Sequence, residues 1–245
     1  LSSSSAASDV YKRQGFVGSW LTLTLSTFKS KILGVSLKMP SKTYLSNTRE
    51  FKKNFKTINC DIKKLEKIES KIINFKPEII IHLASQPIVK EGFKNPVSTY
   101  ETNIFGTVKI LELSRKISSL KKILIFTSDK VYSNIEKKTL TENSKLGGLD
   151  PYSASKSSQD IISQSYKFSF LAKKKLIILR SGNIIGGGDW ANNRIIPDII
   201  RSYLNNKVLK IRSINSTRPW IHIFDVLNAI ILLLTKKNFK NNQNL

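Results

Sequence analysis

Tyr152 and Lys156 carry the most specific chemical signal in the sequence, within the segment Tyr-Ser-Ala-Ser-Lys. Their spacing of four residues places both side chains on one face of a helix. An ammonium group beside a phenol lowers the pKa of the phenol, so Tyr152 could accept a proton from a sugar or alcohol hydroxyl near neutral pH. A tyrosine and a lysine at this spacing also occur by chance. On this evidence alone, the two residues could also belong to an ordinary helix face with no catalytic role.

A second polar group, Thr127-Ser128-Asp129-Lys130, directly follows an apolar segment upstream of that pair. In a parallel sheet, ligands bind at the carboxyl ends of the strands, and these residues come where such a strand would end. We therefore expect the side chains of Ser128, Asp129 and Lys130 to face the same ligand as Tyr152.

The segment Gly15-Phe16-Val17-Gly18 precedes a helical pattern and could form a turn that admits a pyrophosphate to the helix N-terminus. An ordinary helix start is an equally good interpretation, because Lys12 stands where a third glycine would complete the motif. Residues 1–14 are rich in serine and alanine and show neither strand nor helix periodicity. We expect them to be a non-native or disordered leader, so that the domain lacks its first strand.

Short apolar segments alternate with amphipathic ones along the rest of the chain. Residues 31–36, 78–83, 122–127 and 176–180 predict strands that are buried on both faces of a parallel sheet. Helices are predicted for residues 19–27, for 96–111 with its apolar face at Val97, Tyr100, Ile104, Val108 and Leu111, and for 152–170. The alternation predicts an α/β fold, a Rossmann-like doubly wound parallel sheet with a smaller, incomplete C-terminal substrate domain. Residues 15–182 would bind a dinucleotide, and residues 183–245 would begin the substrate-binding region, with part of that segment returning to the Rossmann domain.

The formal net charge of +24 would favour a polyanionic partner if the basic residues were clustered. They are spread over the whole chain, and only eight of the 41 are arginine, the residue that phosphate-binding patches favour. We interpret the charge as a compositional bias of the surface and expect no nucleic-acid partner. A basic binding protein, or an inactive fragment with a Rossmann shape, remains the alternative from a different functional class.

The remaining composition limits the kinds of site that the chain can hold. A single cysteine, Cys60, permits no internal disulfide and no cysteine-pair metal motif, so we expect no metal site and a cytoplasmic location. The longest aliphatic run, from Ala229 to Leu234, is too short to cross a membrane, so we expect no membrane partner. His82 and His222 are expected to lie in the core.

Taken together, these motifs resemble the extended short-chain dehydrogenase/reductases and, among them, the CDP-glucose 4,6-dehydratases. The resemblance runs from Gly15 to about Leu234, and its most specific segments are TSDK, YSASK and IIGGGDW. It implies conversion of CDP-glucose to CDP-4-keto-6-deoxyglucose by internal hydride transfer through bound NAD, in lipopolysaccharide O-antigen biosynthesis. The dTDP-glucose dehydratases carry Thr-Asp-Glu where this chain has Ser128-Asp129-Lys130. An epimerase, or a dehydratase of a dTDP-, UDP- or GDP-linked sugar, remains the alternative.

The resemblance also implies catalytic roles. Tyr152 would take the proton of the sugar 4-hydroxyl, and Lys156 would bind the cofactor ribose and lower the pKa of Tyr152. Lys130 would remove the C5 proton while Asp129 protonates the departing 6-hydroxyl, and Ser128 would hydrogen-bond the sugar near O4. Whether Lys130 acts as a neutral base or stays charged and stabilises the enolate is left open by the sequence.

Binding residues follow from the same resemblance. Those implied for the cofactor are Gly15, Phe16, Val17, Gly18, Asp61, Ile62, Leu83, Ala84, Gln86 and Thr102, together with Tyr152 and Lys156. Those implied for the substrate are Asn183, Arg194 and Arg218, although Arg218 could instead anchor a loop. NADP is not excluded, because Leu37-Lys38-Met39 supplies no carboxylate for the adenosine ribose. Family members continue well past residue 245, and we expect a homodimer or homotetramer in the full-length protein but poor cofactor binding by a chain without its first strand.

Overall fold

The computed structural model describes residues 7–11, 15–28, 30–37, 45, 56–133, 139–209, 211, 215–236 and 242–244. The strands of their main sheet are β1 (Ala7–Tyr11), β2 (Lys31–Ser36), β3 (Lys56–Asn59), β4 (Ile79–His82), β5 (Lys122–Phe126), β6 (Lys175–Arg180) and β9 (Asn242–Asn244). These seven strands are all paired in parallel, in the order β3-β2-β1-β4-β5-β6-β9. A separate two-stranded sheet pairs β7 (Asn183–Ile185) with β8 (Trp220–His222). The order 3-2-1-4-5-6 is that of a doubly wound sheet, so the predicted α/β, Rossmann-like fold is confirmed.

Helices connect the strands and cover both faces of the main sheet. They are α1 (Phe16–Ser26), α2 (Glu69–Phe75), α3 (Val89–Lys94), α4 (Pro96–Tyr100), α5 (Gly106–Lys116), α6 (Pro151–Ser169), α7 (Ile195–Leu204) and α8 (Ile223–Thr235). A π-helical turn, Glu101–Phe105, joins α4 to α5, and 3-10 segments occupy Ile62–Ile68 and Asp129–Val131. The four predicted strands and the three predicted helices are present, with ends that differ by a few residues at most.

The expectation that the domain lacks its first strand is wrong. Strand β1 lies at the centre of the sheet, where Ala7–Tyr11 pairs with β2 on one side and with β4 on the other. Ladder hydrogen bonds use backbone groups that every residue other than proline possesses, so a serine- and alanine-rich segment can fill this position without an apolar sequence signature. Residues 1–6 and 12–14 of the expected leader lie outside the described residues.

Two hydrophobic clusters cover the opposite faces of the sheet. Alternate residues of each buried strand point to opposite faces, so Ile80 of β4 packs into one cluster and Ile81 into the other. The first cluster includes residues of α5, and the second joins α1 to α8 through residues such as Leu21 and Ile230. Helix α8 therefore packs on the main sheet, although it comes late in the chain.

The helical segment from α4 to α5 buries the predicted apolar face at its C-terminal end, where Leu111 is fully buried, but not at its N-terminal end. Val97 is 69% exposed, whereas Thr99, Asn103 and Thr107 are fully buried. These polar side chains are accommodated because each is hydrogen-bonded; Thr107 Oγ1, for example, lies 2.9 Å from Nε2 of the buried His82. Contacts with other segments of the chain thus override the apolar periodicity at the N-terminal end of this helical segment.

Several features outside the sheet bear on the expectations from sequence. His222 is exposed rather than buried, and its Nδ1 accepts a hydrogen bond from the Phe224 amide at the start of α8. The Lys174 ammonium donates to the carbonyl of Ile117 just beyond the C-terminus of α5, over 2.6 Å, and Lys122 donates to the carbonyl of Leu234 near the end of α8.

No helix in the described part of the chain is long and apolar enough to span a membrane, and those same residues contain no cluster of potential metal ligands.

Candidate active site

A cavity of about 770 Å³ opens at the carboxyl ends of the strands. Its volume lies within the usual range for a site that binds a small molecule. Side chains from the end of β5 and the start of α6 meet in its wall. Of the residues predicted from sequence, its lining includes Gly15, Phe16, Val17, Gly18, Leu83, Ser128, Asp129, Lys130, Tyr152, Lys156, Asn183, Arg194 and Arg218.

In the turn after β5, a hydroxyl and an ammonium group are each hydrogen-bonded to the same carboxylate. Ser128 Oγ donates to Asp129 Oδ1 over 2.8 Å, and Lys130 Nζ donates to Asp129 Oδ2 over 3.0 Å. The Asp129 amide donates to the carbonyl of Ser181 over 2.9 Å, which fixes the turn to the end of β6. Both charged side chains remain partly accessible from the cavity, so they can both bind a ligand and exchange protons with it.

Tyr152 is placed by the N-terminus of α6. Asp150 caps the helix, because its Oδ1 accepts hydrogen bonds from the amides of Tyr152 and Ser153, each over 3.0 Å. The preceding Gly148 must be glycine, since a Cβ there would lie 2.4 Å from the carbonyl carbon of Ser153. The local sequence thus sets the position of the phenol against the cavity.

Burial raises the pKa of Tyr152 to about 12. A hydrogen bond with the Ser128 side chain and the charge of Arg194 lower this pKa, whereas the carboxylates of Asp129 and Asp150 raise it. The net direction in the protein alone is opposite to the lowering that the Tyr–Lys spacing predicts. Desolvation of the phenolate outweighs the nearby cations.

Lys156 is 2% exposed and is held by two acceptors. Its Nζ donates to Gln159 Oε1 over 2.9 Å and to the carbonyl of Phe126 over 3.3 Å. Gln159 is itself fixed, because its Nε2 donates to Thr107 Oγ1 over 2.9 Å. Gln159 was not predicted as a site residue; its position three residues after Lys156, on the same helix face, is the signal that could have identified it.

The N-terminus of α1 forms another part of the cavity wall. Gly15 occupies the N-cap position in an extended conformation, and no side chain caps the helix. Gly15 and Gly18 bring backbone without a side chain to the cavity surface. A helix N-terminus with uncapped amide groups suits a pyrophosphate, so the residues present fit a dinucleotide.

Five predicted cofactor residues lie outside the described cavity lining, namely Asp61, Ile62, Ala84, Gln86 and Thr102. Asp61 caps the segment that follows it, with Oδ1 accepting from the Lys63 amide over 2.9 Å. The Gln86 side chain is engaged within its own loop, where Nε2 donates to the carbonyl of Ile88 and to Thr99 Oγ1, both over 3.0 Å. The segment after Leu37 that bears on NADP lies largely outside the described residues.

The predicted substrate residues Asn183, Arg194 and Arg218 also line the cavity. Arg194 donates to Asp189 Oδ2 over 2.9 Å, and Asp189 is 7% exposed in its side chain. Asp189 follows the glycine-rich loop after β7, which is tied to α1 by a 2.8 Å hydrogen bond from Trp20 Nε1 to the carbonyl of Gly187. The exposed Arg218 donates to the carbonyl of Thr217 over 3.0 Å. Lys90 and Asp189 also line the cavity, and neither was predicted.

Comparison with known proteins places the chain in a family. The family described as GDP-mannose 4,6 dehydratase matches residues 13–243. CDP-glucose 4,6-dehydratase of Salmonella typhimurium is 38% identical over 227 residues, which cover 89% of this chain and 63% of the relative. dTDP-D-glucose 4,6-dehydratase of Dictyostelium discoideum is 32% identical over 94% of this chain and 56% of its own length. The chain thus spans less than two thirds of either curated relative.

Solved structures agree with this assignment. The dTDP-glucose 4,6-dehydratase of Bacillus anthracis, solved in complex with NAD, matches with a TM-score of 0.83 and 26% identity, covering 98% of this chain and 75% of that one. The UDP-glucose 4-epimerase of Thermotoga maritima matches with a TM-score of 0.86 at 22% identity, covering 98% of this chain and 76% of that one, a similarity of fold. The predicted resemblance to extended short-chain dehydrogenase/reductases is confirmed, and the chain belongs to the GDP-mannose 4,6 dehydratase family.

Proposed function

We propose that the protein is a nucleotide-sugar 4,6-dehydratase that converts CDP-glucose to CDP-4-keto-6-deoxyglucose. The observation that carries this proposal is the position of the Asp129–Lys130 pair in the same cavity as Tyr152 and Lys156. A dehydratase needs one set of groups to oxidise a carbinol and a second set to eliminate water, and the cavity wall offers both. The 38% identity to a protein named CDP-glucose 4,6-dehydratase supports CDP as the nucleotide.

The proposed cofactor is NAD. Its binding would use the N-terminus of α1 for the pyrophosphate and Lys156 for a ribose, and the NAD complex of the Bacillus anthracis dehydratase supports this choice. When bound, NAD supplies a hydride acceptor for sugar C4 and returns the hydride to C6. A binding titration of NAD against NADP distinguishes the two cofactors.

Tyr152 acts in the first half of the proposed reaction, where it takes the proton of the 4-hydroxyl as the hydride leaves C4. The phenol must be ionised to do so, and Ser128 and Arg194 are the groups that favour the ionised form. Lys156 also lines the cavity, and its Nζ donates to the carbonyl of Phe126. Ser128 and Arg194 thus offset part of the desolvation that raises the pKa of Tyr152.

Asp129 and Lys130 act in the second half. Moving one proton over the 3.0 Å from Lys130 Nζ to Asp129 Oδ2 converts the ion pair into an amine and a carboxylic acid. The amine then accepts the C5 proton, which the 4-ketone has acidified, while the carboxylic acid donates its proton to the departing 6-hydroxyl and water is released. In the alternative, Lys130 stays charged and stabilises the enolate, and another group takes the C5 proton.

Product analysis tests the proposed function. The protein with NAD is incubated with CDP-, dTDP-, UDP- and GDP-glucose in parallel, and the 4-keto-6-deoxy product is followed by its absorbance in alkali. We expect turnover with CDP-glucose to exceed that with the other three. A 4-epimer of the sugar in place of the deoxy product would favour an epimerase, and strong salt-dependent retention on heparin without any turnover would favour a basic binding protein.

We also propose that the protein assembles as a homodimer or homotetramer in the cytoplasm, and that its product serves lipopolysaccharide O-antigen biosynthesis. The support for assembly is apolar surface on α4, on the π-helical turn after it and on α6. Val97, Phe105, Ile161 and Phe168 in these segments are each more than half exposed. Light scattering on the purified protein measures the oligomeric state, and a monomer at all concentrations would contradict this proposal.

A further inference from the structure

Arg180 is a buried cation that does not line the cavity. It ends strand β6, is 2% exposed, and forms a paired contact with the buried carboxylate of Asp160 on α6. Nε donates to Oδ2 over 2.7 Å, and Nη2 donates to Oδ1 over 3.0 Å. This two-point geometry fixes the plane of the guanidinium group, which a lysine could not do.

The remaining terminal nitrogen of Arg180 reaches the segment that follows the Asp129–Lys130 turn. Nη1 donates to the hydroxyl of Tyr132 over 2.9 Å and to the carbonyl of Glu142 over 2.8 Å. Tyr132 is 4% exposed and comes directly after the 3-10 turn Asp129–Val131. Arg180 therefore joins α6 to the C-terminal end of this turn.

The same part of β6 also holds the beginning of the turn. The carbonyl of Ser181, the next residue after Arg180, accepts the Asp129 amide over 2.9 Å. Between these two anchors, the carbonyl of Val131 accepts hydrogen bonds from Ser157 Oγ over 2.8 Å and from the Gly147 amide over 2.9 Å. The turn is thus fixed at both ends by consecutive residues, one through its backbone and the other through its side chain.

We propose that Arg180, acting through the Tyr132 hydroxyl, positions Asp129 and Lys130 for the elimination half of the reaction. This inference rests on the proposed dehydratase function and adds two positioning residues to it. Elimination requires a proton acceptor at C5 and a proton donor at O6 at the same time, and a displacement of about 1 Å can cost on the order of 100-fold in rate. The backbone of Tyr152 and the ammonium group of Lys156 are held by contacts outside this turn, with Asp150 and Gln159 respectively. The Tyr152 phenol also hydrogen-bonds Ser128 at the start of the turn, a contact that does not involve Tyr132 or Arg180.

The substitution Tyr132→Phe tests the inference with little change in packing. It removes the hydroxyl that Arg180 binds and leaves the Arg180–Asp160 pair intact. The matched control is Tyr166→Phe, because the Tyr166 hydroxyl also donates to a charged group, Glu112 Oε1 of α5, over 2.7 Å, but does not line the cavity. Both variants lose one hydrogen bond to a charged partner.

In the holoenzyme turning over CDP-glucose, we expect Tyr132→Phe to slow product formation by about tenfold, while oxidation at C4 stays within about twofold of wild type. Reduced nicotinamide, read by its absorbance, should therefore accumulate during turnover, whereas Tyr166→Phe should behave as wild type. An unchanged ratio of the two half-reactions in Tyr132→Phe, or an equal loss of both, would overturn the inference. If wild type itself forms no 4-keto-6-deoxy product, the proposed function fails instead.

Hydrogen exchange on the free protein gives a readout that needs no substrate. Tyr132→Phe should speed amide exchange in residues 129–133 by about tenfold, the change expected for loss of one hydrogen bond to a charged group. Exchange at the start of α6 should be unchanged. Equal exchange of residues 129–133 in wild type and variant would show that the hydroxyl does not hold the turn, whatever the outcome of the turnover experiment.

Discussion

Lys130 Nζ lies 3.0 Å from Asp129 Oδ2, so the two groups proposed for opposite proton transfers are paired with each other. A single proton moving between them changes both from their charged to their neutral forms. The pair as a whole neither gains nor loses a proton in that step. The acid and the base for elimination are therefore produced together.

We expect Asp129→Asn to abolish this coupling, because the amide can neither accept the proton of Lys130 nor donate one to the leaving hydroxyl. Formation of the 4-keto-6-deoxy product should fall by at least about 100-fold, the usual contribution of a general acid. Oxidation at C4 should continue, so reduced nicotinamide should appear on addition of CDP-glucose. Asp225→Asn, at an exposed position on α8, serves as the control, and product formation at the wild-type rate by Asp129→Asn would contradict the assignment.

The pH dependence of kcat should report on Arg194. The charge of Arg194 lowers the pKa of Tyr152, so Arg194→Gln should raise that pKa further and shift the alkaline rise in kcat to higher pH. Arg218→Gln is the comparison, because the exposed Arg218 is expected to change KM without moving the profile. A profile that shifts to lower pH in Arg194→Gln would contradict this prediction.

Stability at high pH should also depend on Tyr152. The folded-state pKa of about 12 lies above the ordinary value of 10, so the unfolded chain loses this proton first as pH rises. The contribution of neutral Tyr152 is therefore fully present below about pH 10 and is lost between about pH 10 and 12. Urea unfolding should show a smaller loss of stability over this interval in Tyr152→Phe than in wild type. Equal losses in the two proteins would show that Tyr152 titrates no differently when folded.

Gln159→Met should weaken NAD binding by about tenfold, because the buried ammonium of Lys156 loses one of its acceptors. Calorimetric titration with NAD measures the effect. Ser165→Met, on the exposed face of the same helix, controls for a change in helix propensity. If the affinity of Gln159→Met equals that of the control, Gln159 does not hold Lys156 for the ribose.

Asp160→Asn should lower the free energy of unfolding by about 3–5 kcal/mol, since it leaves the buried Arg180 without its carboxylate partner. Glu112→Gln provides the contrast, because its pair with Arg115 is about 40% exposed on both sides and should contribute less than about 1 kcal/mol. Urea unfolding of both variants gives the comparison. Equal losses in the two variants would contradict the buried pair's role in stability.

The sequence predicted those parts of the fold and site that depend on local pattern. Strands such as Lys31–Ser36 are apolar because both of their faces are buried, and Tyr152 and Lys156 share a helix face because of their spacing. The polar groups after β5 were located because parallel strands present their carboxyl ends on one edge. The first two of these inferences use neighbours within a few residues, and the third uses a rule that holds for parallel sheets in general.

The features that were missed depend on contacts between distant segments. Strand β1 is held by backbone pairing with two neighbours and needs no apolar side chains. The buried face at Asn103 is polar because its partners, Gln86 and Ser155, come from other parts of the chain. Likewise, Arg180 and Asp160 lie 20 residues apart, and no periodicity relates them.

Two of the many lysines have a structural role at the ends of helices. Lys174 and Lys122 direct their ammonium groups at carbonyl oxygens of α5 and α8, where a helix otherwise ends on unpaired acceptors. Acetylation of these two amines would remove charge and leave those acceptors without a cation, so it should loosen both layers that cover the sheet. Acetylation of freely solvated lysines would change only the mobility of the protein in an electric field. Part of the positive charge of this protein therefore stabilises the packing of its helices on the sheet and does not indicate a binding partner.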